Sequence, residues 1–125
     1  MSHAAMRITV IGASIITIYK HGEVWLTKFV YDDDPLKIEV RPTLVISDDL
    51  VGCQCVKMTK HAPRDMYEHE IKYWMEAGLA MPTTIRTSKI IKLTDNIMVK
   101  KLGALQPYDL FQFQQKYIEL CSKIL

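Results

Sequence analysis

Between Arg41 and Thr59 the chain reads RPTLVISDDLVGCQCVKMT. Two apolar runs, Thr43–Ser47 and Cys53–Lys60, stand on either side of an Asp-Asp and a Gly. Short runs of Val, Ile and Thr bounded by turn residues read as strands. A connection this short joins neighbours that run antiparallel. Period-two alternation puts Cys53, Cys55, Lys57 and Thr59 on one face of the second strand, and Gln54, Val56 and Met58 on the other. Lys57 and Thr59 therefore line one surface together.

The same pattern recurs along the chain. Arg7–Ile11 and Ile15–Lys20 read as strands, and residues 1–5 as a frayed polar terminus. His21-Gly22 reads as a turn into Glu23–Val30. There Val24 and Leu26 alternate with Trp25, Thr27 and Phe29. Apolar groups on both faces imply a central or interface strand. The run Asp32-Asp33-Asp34-Pro35 makes Tyr31–Glu39 a solvated loop, of a length that also suits a flap over a site. Pro42 has no N–H to donate, so it belongs at a strand start and keeps Arg41 extended.

Beyond Thr59, His61–Glu68 is polar, is broken at Pro63, and reads as a loop. His69–Ile71 reads as a short strand. Lys72–Ala77 reads as a short helix closed by Gly78 at the C′ position. Thr83–Thr87 and Lys89–Leu93 read as two short strands. Asp95 opens a turn or short helix through Lys101, stopped by Gly103. The clearest helix begins at Pro107, with Asp109 in its first turn and an apolar stripe of Leu110, Phe113, Tyr117, Cys121 and Ile124. The expected fold class is mainly β: a small, strongly bent antiparallel barrel with a short internal helix and a C-terminal helix attached.

At 125 residues the chain fits a single domain, 1–125, and about 68% of its unfolded surface can be buried without staples. Three cysteines argue against a disulfide framework and suit a reducing, cytoplasmic setting. Cys53 and Cys55 have no second ligand pair at zinc spacing, so no metal site is expected. The apolar run after Arg7 is too short to cross a bilayer and has no small-x-small cleavage signal after it, so no membrane role is expected. A net charge of +2 gives no strong global field, so a nucleic-acid partner would need a local basic groove. The chain has no Gly-rich phosphate loop, G-x-S-x-G or H-E-x-x-H.

Three polar residues around the two central strands carry a possible chemistry. Arg41 has a planar fork that matches two phosphate oxygens. Thr59 offers a hydroxyl to hold a phosphate in line. His61 has an unperturbed pKa of about 6.5 and can move a proton. Asp34 and Glu39 are rivals for that proton. Lys57, Lys60 and Arg64 can meet phosphates along a groove. The plainer reading makes Arg41 a surface ion pair with Asp48 or Asp49, and His61 a solvated loop residue.

Five segments, in order, resemble the MazF/PemK toxins of bacterial type II toxin–antitoxin pairs. His21-Gly22-Glu23-Val24-Trp25 is similar to the family's G-E-I-W strand, and Arg41-Pro42-Thr43-Leu44-Val45-Ile46 to its R-P-V-L-V-I strand. Val56-Lys57-Met58-Thr59 looks like the strand that ends in the family's Thr. Ile71 to Leu79 and Leu102-Gly103-Ala104-Leu105 with the final helix complete the series, which spans 21–120. Residues 1–20 are an N-terminal extension beyond it.

The resemblance implies an SH3-like barrel and a homodimer. It also implies a metal-independent, sequence-specific endoribonuclease that needs no cofactor and cleaves single-stranded mRNA by 2′-OH attack, leaving a 2′,3′-cyclic phosphate and a 5′-OH. A cognate antitoxin protein is the implied partner. Arg41 and Thr59 occupy the family's catalytic positions, and Arg86 matches an Arg of the PemK branch. Two positions depart from the pattern. The family's Gly-x-Glu before R-P has no clean equivalent, and Ser88 stands where the PemK branch carries an acid. The alternative reading is a catalytically inactive barrel that binds nucleic acid or an antitoxin peptide. A gyrase poison on a related fold is a third reading, against which the R-P/Thr pair argues.

Overall fold

The computed structural model describes residues 7–11, 14–31, 33–49 and 52–124; the frayed terminus expected at 1–5 lies outside them. Among the described residues, strands β1 (Arg7–Ile11) and β2 (Ser14–Ile18) pair only with each other. The remaining strands are β3 (Glu23–Tyr31), β4 (Asp34–Asp48), β5 (Cys53–Thr59), β6 (Glu68–Glu70), β7 (Thr84–Leu93) and β8 (Met98–Ala104). They form one antiparallel sheet in the order β6-β7-β5-β4-β3-β8, curled into a half-barrel. Helix α1 (Pro107–Ile124) follows. It is the only described helix longer than one turn, and no described helix is long and apolar enough to cross a membrane.

The sheet buries both faces, which explains why its central strands read as unbroken apolar runs. Neighbouring residues go to different cores. Val24, Leu44 and Val56 join one cluster with Phe113; Trp25, Val45 and Cys55 join another with Tyr19 and Leu93. The two-sided apolar strand, expected to be central or at an interface, is central, between β4 and β8, and one chain accounts for both of its faces. Leu110, Phe113 and Tyr117 of α1 cover the first core, as their helical spacing predicts. Cys53 and Cys55 share a face as expected, buried with their sulfurs 3.7 Å apart.

Several local expectations are corrected. Tyr31–Glu39 is not a loop, because β4 starts at Asp34 and pairs with β3 from Val30↔Ile38 onward. All of β4 from Asp34 to Ile38 is exposed, so backbone pairing rather than burial holds it, and the acid run gave no sign of that. Lys72–Ala77 is not a helix. One α-type bond forms, Ala77 N–H to Tyr73 O (3.1 Å). The Gly78 N–H then reaches Met75 O and the Leu79 N–H reaches Trp74 O, each at 3.0 Å. This is a Schellman closure with Gly78 at φ +89°, on a segment too short to repay helix nucleation. Asp95–Lys101 is a single 3₁₀ turn, Asp95–Ile97, followed by β8. The strand expected at His69–Ile71 sits one residue earlier.

Gly103 does not stop a helix; it lets two backbones touch. A Cβ there would lie 2.3 Å from the Ala77 carbonyl oxygen, and one on Gly78 would lie 2.0 Å from that of Leu102. The turn over residues 72–78 thereby packs directly on β8. The two strands expected at Thr83–Thr87 and Lys89–Leu93 are one strand with a bulge. Its pairing with β5 steps from Met58↔Ile85 to Val56↔Ile90, so Arg86–Lys89 stand opposite Lys57 alone.

Candidate active site

The site lies where the second core gives way to charge. Thr43 pairs with Lys57 across β4 and β5. Two residues on, toward the same end of the sheet and on the same faces, stand Arg41 and Thr59. Arg86 joins them from the start of the β7 bulge. These side chains line one cavity of about 220 Å³ with Phe29, Pro42, Thr43 and Met58. Pro42 sits inside a central strand, where its missing N–H would ordinarily cost a ladder bond. The buried Thr27 hydroxyl donates to the neighbouring Arg41 carbonyl (2.8 Å) and keeps that carbonyl satisfied.

Arg41 does not pair with Asp48 or Asp49. Asp48 accepts the Tyr19 N–H (3.0 Å), and Asp49 lies 3.3 Å from Lys92. The Arg41 Nε donates instead to Glu39 Oε2 at 2.7 Å, and Lys37 flanks the same carboxylate at 3.5 Å. Alternation on β4 puts Lys37, Glu39 and Arg41 on one face, with Leu36, Ile38 and Val40 exposed on the other. A second cavity of about 470 Å³ adjoins the first and shares Arg41, Pro42, Met58 and Thr59 with it. Glu39 and Lys60 stand on its rim, and Leu26, Val40, Leu79, Met81 and Leu102 make it largely apolar.

Of the residues singled out from sequence, Arg41, Thr59, Lys57 and Arg86 are brought together in the first cavity, and Glu39 and Lys60 in the adjoining one. His61 and Arg64 line neither, and nor does Asp34. His61 is exposed, and its backbone N–H donates to Thr59 Oγ1 (3.3 Å). Arg64 lies 3.5 Å from Glu68. Asp34 accepts the Leu36 N–H (3.3 Å) near the tip of the β3–β4 hairpin. Among the described residues no group of three or more His, Cys, Asp or Glu is placed to hold a metal ion.

Sequence reasoning missed Glu68. It is buried, accepts the Arg64 N–H (3.0 Å) and the Arg86 Nε–H (3.2 Å), and so fixes one side of Arg86. Burial alone would raise its carboxyl pKa. The Arg64 N–H bond and the Arg86 and Arg64 guanidinium groups outweigh burial and hold it below the usual range. A three-residue strand is too short to show alternation, and its polar surroundings read as loop. Asp109 was read only as a dipole partner. It is fully buried, accepts the Lys72 and Tyr73 N–H groups at 2.9 Å each, and meets His69 Nε2 at 2.8 Å. It therefore ties α1 to the turn that packs on β8.

The sequence matches no protein-family model, and no curated protein is similar enough to match it. Solved structures do match in backbone. MazF from Deinococcus radiodurans is similar at TM-score 0.65 and 16% identity, over 84% of this chain and 97% of that one. The Mycobacterium tuberculosis toxin MazF-mt6 is similar at 0.64 and 11%, over 80% and 96%. A mycobacterial endoribonuclease in complex with its cognate antitoxin is similar at 0.63 and 13%, over 82% and 93%. The chain has the MazF-type toxin fold.

Proposed function

We propose that this chain, on its MazF-type fold, is the toxin of a toxin–antitoxin pair and cleaves single-stranded RNA without a metal. One observation carries the reading: Arg41, Lys57, Arg86 and Thr59, from three strands, line a single cavity. Three cations around one hydroxyl suit a phosphodiester. RNA supplies its own nucleophile in the 2′-OH next to the scissile phosphate. Arg41 carries the charge that grows on the non-bridging oxygens, and Thr59 holds the phosphate in line. Lys57 and Arg86 neutralise the phosphate, and Lys60 its neighbour along the strand. Attack gives a 2′,3′-cyclic phosphate and a 5′-OH.

A base must take the 2′-OH proton and an acid must return one to the leaving oxygen. What favours Glu39 over His61 and Asp34 as the base is contact: Glu39 bonds Arg41 and lines the adjoining cavity. A phosphate that takes the Arg41 fork would release this carboxylate beside the reacting atoms. His61, whose backbone N–H bonds Thr59 Oγ1, is the candidate acid. Arg64 acts through Glu68 rather than on RNA.

The partner of such a toxin is an antitoxin, as in the complexed mycobacterial neighbour. The largely apolar second cavity suits a peptide that covers the site. Exposed apolar side chains on α1, Phe111 and Ile118, and on β4 support a homodimer. The chemistry suits a protein that meets mRNA in the cytoplasm.

The test is cleavage of a single-stranded RNA in EDTA by the full chain and by Arg41→Ala. Cleavage should fall by about 100- to 1000-fold in the variant. A single 2′-deoxy substitution at the cut should block it. If the deoxy substrate is cut, or metal is required, the mechanism is wrong. If RNA or an antitoxin peptide binds and no RNA is ever cut, the chain is a binding barrel.

A further inference from the structure

Two strand edges of this chain have no use in the chemistry above. One belongs to β4. The Val45 carbonyl accepts the Gly22 N–H (2.9 Å), so it faces β3, and the register with β3 is unbroken from Leu44 to Ile38. Backbone groups alternate between the two sides of a strand, so those of Ile38, Val40 and Pro42 face away from β3. On that side β5 pairs with β4 only from Thr43 onward. β4 itself runs back to Asp34, and no described strand takes the place beside its outer half. Leu36, Ile38 and Val40 are 93%, 55% and 50% exposed along it. An exposed apolar edge of this kind is a template for another strand.

The other edge belongs to the β1–β2 ribbon. Ile, Val and Thr fill eight of its ten strand positions, and among the described residues it pairs with no strand of the main sheet. A two-stranded ribbon is marginal in water by itself, and a third strand stabilises it. The β4 edge of the same chain is out of its reach. Tyr19, which follows β2, is buried; its N–H donates to Asp48 Oδ2 (3.0 Å) and its hydroxyl to Asp95 Oδ1 (2.9 Å). Asp48 ends β4, and Ile38 lies on the order of 30 Å back along that strand. Ile8 pairs with Thr17, so that part of β1 lies within roughly 10 Å of the Tyr19 anchor.

We propose that β1 of one copy of this chain pairs with the open outer edge of β4 in a second copy, and that the exchange is reciprocal. This rests on the homodimer proposed above and names one contact of it. The residue pattern selects the register. β1 alternates Arg7 and Thr9 with Ile8 and Val10, and β4 alternates Lys37 and Glu39 with Leu36 and Ile38. Set antiparallel with Arg7 opposite Glu39, Ile8 stands opposite Ile38 and Val10 opposite Leu36. Opposite charges and apolar residues are then matched together. A shift of two residues either way sets Arg7 opposite Arg41 or Lys37, where like charges repel. Exchange in both directions closes with two-fold symmetry, so it ends at a dimer and does not grow into a fibre. The added strand borders the second cavity, whose lining includes Val40 and Pro42.

The experiment has two arms on the full chain. In the first, Thr9→Cys and Lys37→Cys proteins are mixed at about 50 µM, a range where a specific interface holds, and oxidised with glutathione disulfide. Covalent dimers are counted on non-reducing gels, with each variant alone and Thr9→Cys mixed with Lys89→Cys as controls. In the second, amide hydrogen exchange is followed by NMR in the parent, Arg7→Glu and Ile8→Pro. The Thr9→Cys and Lys37→Cys mixture should cross-link at least about tenfold more than any control, since residues opposite each other on paired strands come within disulfide reach. The Val40 amide should exchange at least about tenfold more slowly in the parent than in Ile8→Pro, with Arg7→Glu between them. The Arg41 amide faces β3 and should stay protected in all three, which shows that the barrel is intact.

A Val40 amide that exchanges equally fast in the parent and in Ile8→Pro overturns the proposal. So does a cross-link no stronger than the controls. If either result comes with a dimer mass, the homodimer stands on other surfaces and the β4 edge is left to another partner. A monomer at this concentration removes both the homodimer and the exchange. Cross-linking and Ile8-dependent protection in a protein that cuts no RNA keep the contact and sink the endoribonuclease reading.

Discussion

Arg86 Nε donates to Glu68 Oε2 across 3.2 Å, and this bond aims a guanidinium that a bulged strand would otherwise leave loose. Glu68 is nearly enclosed, with its side chain 2% exposed, while that of Arg86 is 28% exposed. The buried end is fixed and the cationic end faces the cavity. Arg64, on the other side of Glu68, completes the arrangement from an exposed segment.

Glu68→Gln should cost about 1.5–3 kcal/mol at pH 7, the range for a hydrogen bond to a charged group. Glu68 has a folded-state pKa below its unfolded one. Its contribution is therefore complete above the ordinary glutamate pKa, about 4.3, and is lost as pH falls through the lower folded value. Denaturant melts of both proteins from pH 7 downward should show the gap narrowing below the ordinary glutamate range. A gap that stays constant or widens in acid would contradict the pairing.

Cleavage rate against pH separates the two proton carriers. Loss of one limb of the profile in His61→Ala would assign that limb to the histidine. If Glu39 is the base, Glu39→Gln should slow cleavage by about 100-fold or more and leave the His61 limb in place. A Glu39→Gln enzyme as fast as the parent would return the role of base to His61 or Asp34.

Gly78→Ala should destabilise the fold by at least about 2 kcal/mol, since a left-handed φ and a backbone collision act together. Its melting temperature should fall by about 5–10 °C. A melting temperature within a degree of the parent would mean that the turn does not pack on β8 as described.

Light scattering at tens of micromolar (roughly where a specific interface should hold) should give a dimer mass. Phe111→Glu with Ile118→Glu, on the exposed face of α1, should shift it toward the monomer. A parent that is monomeric at that concentration removes the homodimer.

Much of the fold was legible because it depends on period-two patterning. The runs at Val24–Phe29, Leu44–Ile46 and Cys53–Met58 announced buried strands, and the spacing of Leu110, Phe113 and Tyr117 announced a covering helix. Lys57 and Thr59 share one surface by alternation alone, and Arg41 joins them only through the pairing of β4 with β5. The failures share a cause. Strand Asp34–Ile38 has no buried side chain, so nothing in its composition marks it. The residues of 72–78 suit a helix, and only the shortness of the segment keeps it a single turn.

The sequence by itself determined which residues seek burial, how they alternate and where the chain must turn, because these follow from side-chain chemistry and backbone sterics within a few neighbours. The tertiary structure decided which distant groups meet. Glu68 reaches Arg86 only because β6 pairs with β7, and Arg86 faces Lys57 only because β7 bulges there. Thr43 meets Lys57 only because β4 pairs with β5 there, and both then line one cavity with Phe29 of β3. Such contacts join residues far apart in the chain, and local propensity carries no information about them.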